Sequence, residues 1–365
     1  MQDIYIGVMS GTSLDGIDAV AVDFTLEKPK LLECHHAMIP PDLRQELMDL
    51  SLDKPRRISD IGATETQLAR IYAKSINTLL KKLNLSAKDI QAIGCHGQTV
   101  CHNPTTPNPF SIQLNDPSLI AARTKITTVA DFRRKDLAYG GQGAPFVPIF
   151  HQALFEKQKQ TVVVLNIGGI ANISVIRPGY PTLGYDTGPG NMLMDAWIQQ
   201  SLTKNFDFNG QWARSGQPDS SLLNELLADP YFKQSSPKST GREYFNLNWL
   251  QRHRCDHEPP EDIQATLLCL TIESIALEVE KFPVGKLLVC GGGAHNQALM
   301  DQLALRLSKW KVTTTNAEGI NGDAMEAMAF AWLARQTIRQ KSGNLPEVTG
   351  AQRKAILGGI YYADT

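Results

Sequence analysis

A strand, a short polar turn and a second strand are predicted between residues 4 and 24, and this stretch, IYIGVMSGTSLDGIDAVAVDF, constrains the fold most strongly. Apolar residues alternate with other residues on both sides of the turn, which is the period of paired strands. The glycines of the turn allow successive backbone N–H groups to converge on an anion, and its hydroxyl groups add further donors. The residues predicted here to bind a nucleotide phosphate are Gly11, Thr12, Ser13, Leu14, Asp15, Gly16, Ile17 and Asp18.

Two carboxylates in this turn, Asp15 and Asp18, are candidate ligands of Mg²⁺, either directly or through water. Mg²⁺ keeps several of its waters and needs only one or two carboxylates beside the phosphates of a nucleotide. An ordinary hairpin with a turn of Ser, Asp and Gly residues explains the same pattern equally well. The turn alone therefore leaves both interpretations open.

Two further glycine clusters favour nucleotide binding. The segment TVVVLNIGGIANISVI repeats the plan of strand, glycine turn and strand, and such a repeat indicates a duplicated lobe that holds a nucleotide. In the segment LLVCGGGAHN, three glycines are predicted to end a buried strand, where a purine or its ribose can lie against bare backbone. The glycines predicted to bind the nucleotide in these two segments are Gly168, Gly169, Gly291, Gly292 and Gly293.

The bulk composition excludes several classes of protein. The 365 residues carry a formal charge of −1 and are 42% hydrophobic, which is enough for two packed lobes. No basic surface large enough for nucleic acid or an anionic membrane is predicted. No apolar run approaches the length of a membrane span, and we therefore expect a cytoplasmic protein. The six cysteines have neither the density of a disulfide framework nor the spacing of a structural zinc site, so we expect free thiols.

Nine segments, spread in order over nearly the whole chain, carry a resemblance to a known family. They are GVMSGTSLDGIDAV, CHGQT, GGQGAPFVP, NIGGIANIS, YDTGPGN, STGREYFN, CGGGAHN, GDAMEAMAFAWLA and TGAQRKAILG. The chain resembles the anhydro-N-acetylmuramic acid kinases, which belong to the sugar kinase, actin and Hsp70-like superfamily. The resemblance implies a duplicated two-lobed α/β fold of the actin/hexokinase/Hsp70-like (ribonuclease H-like) type with an interlobe cleft. Lobe I is expected at residues 1–134, with residues 350–365 able to pack back on it, and lobe II at residues 135–349.

The reaction implied by the resemblance uses ATP and Mg²⁺. Water opens 1,6-anhydro-N-acetylmuramic acid while O6 is phosphorylated, which gives N-acetylmuramic acid 6-phosphate and ADP in peptidoglycan recycling. A homodimer is the implied assembly. One alternative is a conventional sugar kinase that phosphorylates a hydroxyl group, and only substrate trials separate it from the first interpretation. A second alternative is an actin- or Hsp70-like switch, but no segment is large enough for the protein-binding domain that such a switch needs.

His96 and Gln98, in the segment CHGQT, are predicted to follow the carboxyl end of a buried strand. Open α/β sheets bind ligands at such ends. A lone histidine is more often a hydrogen-bonded structural residue than a ligand contact. The resemblance implies that both residues border the sugar.

Arg133 follows a second predicted strand, and its planar guanidinium suits a carboxylate such as a lactyl group. A surface ion pair with Asp131 or Asp136 explains the same arginine without any ligand. The resemblance favours substrate binding by Arg133, although it does not separate this residue from Arg134.

Two more carboxylates, Asp186 and Glu326, are candidate active-site residues. Asp186 lies in YDTGPGN, where an aspartate can equally cap a helix. Glu326 follows Asp323 with the spacing of a capping box. The resemblance implies that Asp186 is the general base and that Glu326 contacts the sugar.

Helical periodicity predicts helices at residues 43–50, 65–83 and 263–280, the last of them amphipathic. Residues 135–148 are rich in Gly and Pro and are predicted to form the hinge between the lobes. Two interpretations fit the charged side chains of residues 238–243. They contact the nucleotide or the other lobe, or they are solvated charges of a loop, and the sequence does not separate these interpretations.

Overall fold

A computed structural model of the chain describes residues 3–11, 14, 16–253 and 258–364. Its internal contacts separate two units, Met1–Phe150 with Ala324–Thr365 and His151–Asp323. Each unit is an α/β arrangement around one mixed sheet. None of the described helices has the length and apolar character that a membrane span requires.

The described strands and helices alternate along most of the chain. The strands are β1 (Ile4–Ser10), β2 (Ile17–Asp23), β3 (Lys30–Ala37), β4 (Ala92–Cys95), β5 (Gln98–Asn103), β6 (Phe110–Leu114), β7 (Thr128–Ala130), β8 (Val162–Ile167), β9 (Ile170–Ile176), β10 (Leu183–Pro189), β11 (Lys286–Cys290), β12 (Lys311–Thr314) and β13 (Gly359–Tyr361). The helices are α1 (Pro41–Ser51), α2 (Ile58–Leu83), α3 (Pro117–Thr124), α4 (Arg134–Ala138), α5 (Val147–Phe155), α6 (Met192–Leu202), α7 (Gln211–Ser215), α8 (Ser220–Leu227), α9 (Pro230–Lys233), α10 (Leu247–Gln251), α11 (Pro260–Val279), α12 (Gln297–Arg306), α13 (Met325–Ile338) and α14 (Pro346–Thr349). Short 3-10 turns occur at Ala87–Asp89, Phe208–Gly210, Gly292–His295 and Thr315–Glu318.

The sheet of the first unit has the strand order β13-β7-β4-β1-β2-β3. Strands β1, β2 and β3 form an antiparallel meander, whereas β4 lies parallel to β1 and β7 lies parallel to β4. The carboxyl-terminal strand β13 adds to β7 in the antiparallel direction. The hairpin predicted between residues 4 and 24 is therefore confirmed as β1 and β2.

The sheet of the second unit repeats this plan in the order β10-β9-β8-β11-β12. Strands β8, β9 and β10 form the antiparallel meander, and β11 and β12 follow β8 in parallel. Apart from β13, each strand of the first sheet thus has a counterpart of the same order and direction in the second. This shared order is the ribonuclease H-like arrangement, and it confirms the predicted duplicated α/β fold.

The central strand β1 is buried on both faces. On one face, Ile4, Ile6 and Val8 belong to an apolar core that includes residues of α2. On the other face, Gly7 lies so close to α13 that an added Cβ atom would overlap the carbonyl oxygen of Ala327. The alternation of the sequence therefore sets both faces, and a glycine is required where the helix backbone approaches the strand.

The contact with α13 also affects which residues belong to each of the two units. Residues 135–150 and 324–349 group with the first unit, whereas the sequence interpretation assigned them to the second lobe. The cause for the later segment is the packing of α13 against β1 and β4, in which Gly94 touches the backbone at Phe330. A helix that is distant in sequence thus completes the first sheet.

Two helices differ from their predicted form. The helix predicted at residues 65–83 begins earlier, at Ile58. The helix predicted to be amphipathic at residues 263–280 spans Pro260–Val279, and residues 263–268 are all buried. The amphipathic assignment is therefore wrong. The helix is enclosed because α6, α7, α8, α12 and β10 all pack against it.

Candidate active site

The predicted site residues of the first unit follow the carboxyl ends of its parallel strands. Gly11 follows β1, His96 follows β4, and Arg133 lies three residues beyond β7. These three strands are neighbours in the sheet. The carboxyl ends of parallel strands meet at one edge of a sheet, which is where open α/β sheets bind ligands.

His96 and Arg133 are in direct contact. Nε and Nη2 of Arg133 donate to His96 Nε2 at 3.2 and 2.8 Å, so Nε2 is the acceptor and the imidazole proton resides on Nδ1. Burial and the charge of Arg133 hold the pKa of His96 well below its ordinary value. His96 is therefore a neutral imidazole, with its ring 4.5 Å from that of Phe330.

Two buried polar atoms close to this pair lack a hydrogen-bond partner within the described part of the chain. They are His96 Nδ1 and Gln98 Oε1, a donor and an acceptor respectively. If His96 were only a hydrogen-bonded structural residue, its Nε2 atom would be satisfied by Arg133, but its Nδ1 proton would have no acceptor among the described residues. Buried polar groups are costly when they are left without a partner, and a bound ligand is one way of satisfying them.

The guanidinium of Arg133 is held on two sides. Besides the bonds to His96, its Nη1 donates to the carbonyl oxygen of Gly143 at 2.6 Å. Burial lowers the pKa of Arg133 to about 10, and the charges of Glu326 and Asp136 oppose this shift. Of its five N–H groups, two have no partner among the described residues, one on each terminal nitrogen.

The surface ion pair considered for Arg133 is formed by its neighbour instead. Nε of Arg134 lies 3.7 Å from Asp131 Oδ1, and the Arg134 side chain is exposed. The geometry thus gives the two arginines different roles, since Arg133 is fixed beside His96 and Arg134 faces solvent. The sequence could not distinguish them.

Glu326 lies in the first turn of α13 and does not form the capping box considered from the sequence. The residue at the N-cap position is Ala324, and no side chain caps the helix there. Asp323 does not cap the helix, because its Oδ1 atom lies 2.8 Å from Nε2 of His295. Desolvation by the surrounding protein raises the pKa of Glu326, while Arg133 opposes the shift and Asp18 adds to it. Glu326, Arg133 and Asp18 therefore share one electrostatic neighbourhood.

The first glycine turn is described in part. Thr12, Ser13 and Asp15 lie outside the described residues. The Leu14 N–H donates to the carbonyl oxygen of Gly11 at 3.1 Å, and Leu14 has a positive φ of 57°. His36, on the neighbouring strand β3, donates from Nδ1 to Asp18 Oδ1 at 2.8 Å. Gly16 and Ile17 follow the turn, and a Cβ atom at Gly16 would overlap the ring of His36.

The two glycine clusters of the second unit come together at the end of β8. The N–H groups of Gly190 and Asn191 donate to the carbonyl oxygens of Gly169 and Gly168, both at 2.8 Å. A Cβ atom at Gly291 would overlap Asn166. Two further glycines of the cluster lie close by, Gly292 beside Asn191 and Gly293 against Ile167. The structure therefore joins segments that are more than a hundred residues apart in the sequence.

A small concave space of about 70 Å³ opens beside Gly291, near the carboxyl ends of the parallel strands β11 and β12. Its lining includes Gly291, Ala294, His295, Thr315, Asn316 and Asp323. The buried hydroxyl of Thr315 has no hydrogen-bond partner within the described ranges. A buried polar group without a partner is costly, and a bound ligand is one way of satisfying it.

Asp186 lies within β10, at a bulge in the pairing with β9, rather than at a strand end or a helix cap. Its Oδ2 accepts the backbone N–H of Thr240 at 3.0 Å. Burial raises the pKa of Asp186 to about 6, and the bond from Thr240 opposes the shift. A carboxylate with this pKa is suited to general base catalysis near neutral pH.

Arg242 lies beside the second glycine turn. Its Nη2 is 4.0 Å from the Cβ position of Gly169, and its side chain is exposed. The charge of Arg242 opposes the rise of the Asp195 pKa to about 6 that burial causes. The exposure of Arg242 agrees with the alternative of a solvated loop charge. The side chain of Lys238 is buried, which contradicts that alternative for Lys238.

Comparison with known proteins identifies the family of this chain. The model of the family described as anhydro-N-acetylmuramic acid kinase matches residues 3–363. The chain belongs to this family. It is 50% identical over 364 residues to the anhydro-N-acetylmuramic acid kinase of Vibrio vulnificus strain YJ016, with 99% of this chain and 98% of the relative covered. It is also 50% identical over 362 residues to the kinase of that name from Pasteurella multocida strain Pm70, with 98% and 96% covered.

Solved structures with a similar chain path are more distant in sequence. One is a ROK family glucokinase from Streptomyces griseus in complex with glucose and AMPPNP. It is 15% identical, covers 92% of this kinase and 100% of its own chain, and gives a TM-score of 0.40.

Sequence reasoning missed several residues around the candidate site of this kinase. Thr240 contributes a backbone N–H, which has no side-chain signature. Gly143 contributes a carbonyl oxygen to Arg133, whereas the sequence assigned it only to the predicted hinge at residues 135–148. Both residues lie in segments that carry the family resemblance, GGQGAPFVP and STGREYFN, and this membership is the one sequence signal that points to them.

Proposed function

We propose that this kinase transfers the γ-phosphoryl group of ATP to O6 of 1,6-anhydro-N-acetylmuramic acid while water opens the anhydro ring. The products are N-acetylmuramic acid 6-phosphate and ADP, which is a step of peptidoglycan recycling. Membership of the anhydro-N-acetylmuramic acid kinase family supports the substrate. The observation that carries the mechanism is the Asp186 carboxylate, whose pKa is raised to about 6 and which has only one oxygen bonded to Thr240.

The base acts on water because O6 of the anhydro sugar is part of the bridge and has no proton to lose. Asp186 accepts a proton from a water molecule as that water forms a bond to C1. The C1–O6 bond breaks, O6 bonds to the γ-phosphorus, and ADP leaves with the electrons of the broken P–O bond. Asp186 then releases its proton to solvent. Phosphoryl transfer itself needs mainly positioning and neutralisation of charge.

Side chains of the first unit are proposed to bind the sugar. The two remaining N–H groups of Arg133 fit the lactyl carboxylate in a bidentate manner. Glu326 is proposed to accept a hydrogen bond from the sugar. His96 Nδ1 and Gln98 Oε1 offer a donor and an acceptor that the described residues leave unsatisfied.

Backbone groups are proposed to bind ATP. The turn at Gly11–Asp18 and the turn at Gly168 and Gly169 would contact phosphates, and Gly291, Gly292 and Gly293 would lie against the adenosine. Asp15 and Asp18 would hold Mg²⁺, which supplies positive charge to the phosphates. Because Asp18 Oδ1 is already bonded to His36, we expect Asp18 to act through a metal-bound water.

The test is a reaction of the purified protein with Mg·ATP and 1,6-anhydro-N-acetylmuramic acid in ¹⁸O-water. We expect a phosphorylated, ring-opened sugar that carries one ¹⁸O atom at C1, measured by mass spectrometry. Asp186→Asn should lower kcat about 10²- to 10⁴-fold, the usual contribution of a general base. Asp60→Asn is the matched control, because Asp60 forms an exposed ion pair with Arg57 on α2, and its kcat should equal that of the wild type.

Two results would count against the proposal. Phosphorylation without ¹⁸O would indicate a conventional hydroxyl kinase, and ADP release without a sugar product would indicate an ATP-driven switch. Wild-type turnover by a folded Asp186→Asn variant would remove Asp186 from the mechanism even if the product is correct.

We propose that this kinase is a homodimer in the cytoplasm. Only the family resemblance supports it. Light scattering coupled to size-exclusion chromatography tests the assembly, and a mass of about one chain would contradict it.

A further inference from the structure

The segment around Lys238 holds Asp186 through its backbone. The Asp186 N–H donates to the carbonyl oxygen of Lys238 at 3.0 Å, and the N–H of Thr240 donates to Asp186 Oδ2 at 3.0 Å. The hydroxyl of Tyr231 donates to the Asp186 carbonyl oxygen at 2.8 Å. The backbone and one carboxylate oxygen of Asp186 are therefore fixed, while its other oxygen has no partner among the described residues.

The side chain of Lys238 anchors this segment to α11. Its Nζ lies 2.8 Å from Glu278 Oε1, and the two side chains are 1% and 2% exposed. The Tyr185 hydroxyl donates to Glu278 Oε2 at 3.1 Å, and Lys281 donates to the same oxygen at 2.6 Å. Lys238 also donates to the carbonyl oxygen of Tyr231 at 3.3 Å. Lys238 thus links the residues beside Asp186 to a buried carboxylate with several partners.

Stability alone is a weak reason for such a pair. Removing two charges from water is expensive, and well-packed apolar residues in place of a buried ion pair are often neutral or stabilising. An ion pair has a defined geometry that apolar packing lacks. The observation that the anchored segment donates directly to the candidate base points to a role in positioning.

We propose that Lys238 is a positioning residue for Asp186. Through Glu278 it holds residues 238–240 so that the Thr240 N–H binds one oxygen of Asp186 and leaves the other for the attacking water. The inference rests on the proposed role of Asp186 as general base. It assigns a function to the lysine that precedes the STGREYFN segment, for which the sequence allowed only a solvated charge, a nucleotide contact or a contact between lobes.

Loss of this arrangement should change the pH dependence in a defined direction. The bond from Thr240 lowers the pKa of Asp186, so losing it moves the acidic limb of the kcat profile to higher pH. Tyr231 on α9 donates to the Asp186 backbone, and behind it lie Lys238 and Glu278 on α11, with Tyr185 and Lys281 also bonded to Glu278. Tyr231 stays neutral because burial raises its pKa, and the charge of Glu278 is balanced by Lys238 and Lys281 together.

The experiment compares Lys238→Met with Lys281→Met. Both variants remove one cationic partner of Glu278, but Lys281 is about half exposed and does not belong to the segment that contacts Asp186. We expect Lys238→Met to lower kcat about 10²-fold, the loss that small misplacements of a catalytic group cause, with KM for ATP nearly unchanged. Its acidic limb should move to higher pH, and Lys281→Met should match the wild type in both respects.

Other outcomes would overturn the inference. These are wild-type kcat in Lys238→Met, a lower kcat without a shift of the acidic limb, or equal effects in the two variants. If Lys238→Met does not fold, the double variant Lys238→Met, Glu278→Leu replaces the pair by apolar residues, and the same kcat and pH shifts are expected. Asp186→Asn in the same assay separates the two proposals, because an active Asp186→Asn refutes the proposed base, whereas an inactive one beside a normal Lys238→Met refutes only the role of Lys238.

Discussion

Asp136 connects the candidate sugar site to the carboxyl-terminal part of the chain, and its replacement by asparagine offers a sharp test of the structure. The side chain is fully buried. Its Oδ2 accepts the Gly143 N–H at 2.8 Å, and its Oδ1 accepts Asn344 Nδ2 at 2.7 Å and the Thr349 hydroxyl at 2.8 Å. The carbonyl oxygen of the same Gly143 accepts from Arg133. Asp136 therefore holds the peptide that holds Arg133.

The expected cost follows from the number of acceptors. An asparagine can keep its oxygen for Asn344 and Thr349, but its NH₂ group then faces the Gly143 N–H, and two donors cannot bond to each other. A hydrogen bond to a charged group contributes about 1.5–3 kcal/mol, and a buried donor left without a partner adds to the loss. We expect Asp136→Asn to lower the free energy of unfolding by about 2–4 kcal/mol, a large part of the usual ~5–15 kcal/mol. Displacement of Gly143 should also raise KM for the sugar about tenfold, equivalent to about 1.4 kcal/mol.

Urea unfolding and sugar kinetics measure the two effects separately. Thr349→Val is the matched control, because it removes one donor to Asp136 and leaves the bond to Gly143 intact. We expect it to cost about 1.5 kcal/mol of stability, the lower end of the range for a hydrogen bond to a charged group because Asn344 still donates to the same oxygen, with KM for the sugar unchanged. If Asp136→Asn were as stable as Thr349→Val, or if its KM for the sugar equalled that of the wild type, the proposed link from Asp136 through Gly143 to Arg133 would be wrong.

The pH dependence and two pairs of glycine variants test other parts of the structure. Because Asp186 must be ionised to accept a proton and its pKa is about 6, kcat should fall as the pH drops through about 6, and a flat profile there would contradict its role. Gly291→Ala should raise KM for ATP about tenfold, because φ is +78° and the end of β8 leaves no room for a Cβ atom. Its control is Gly319→Ala, which has a similar φ of +82° but open space around it and should leave KM for ATP unchanged. In urea unfolding, Gly7→Ala should cost about 3 kcal/mol through its clash with α13. Gly62→Ala, in the second turn of α2 with open space around it, should instead stabilise by about 0.5–1 kcal/mol. Equal stability of the last two variants would contradict the packing of α13 on β1.

The strands that carry the candidate site could be predicted because their signals are local. The alternation between residues 4 and 24 gave β1 and β2 almost to the residue. The second glycine turn was likewise placed correctly between β8 and β9. Helix boundaries were less accurate. The segment ISDIGATE has few apolar residues and an internal glycine, so it lacks the helical period, yet α2 begins there at Ile58.

Contacts that depend on tertiary packing could not be predicted. The Thr240 N–H reaches Asp186 across 54 positions of sequence, and a backbone donor has no pattern of its own. The spacing of Asp323 and Glu326 is that of a capping box, but His295 draws Asp323 away from the helix start. The periodicity of α11 indicated an exposed face, although packing from several sides buries it. In each case the partner is distant in sequence, and local propensity carries no information about it.

The duplication gives a physical reason for the different character of the two units. The strand pairs β1 and β8, β4 and β11, and β7 and β12 correspond in order and direction, so the same three strand ends recur. Glycine turns follow both β1 and β8, at Gly11 and at Gly168–Gly169. The units differ at the next strand end, where His96 follows β4 and Gly291–Gly293 follow β11. Side chains at a strand end recognise a charged substrate through specific geometry, whereas bare backbone lets a phosphate or a flat base approach closely. One fold can thus offer a side-chain site and a backbone site, because only the residues after the strands differ. If these proposed roles are correct, substitutions of His96 and Arg133 should act mainly through lost hydrogen bonds to the sugar, and substitutions of Gly291–Gly293 mainly through steric exclusion of the nucleotide.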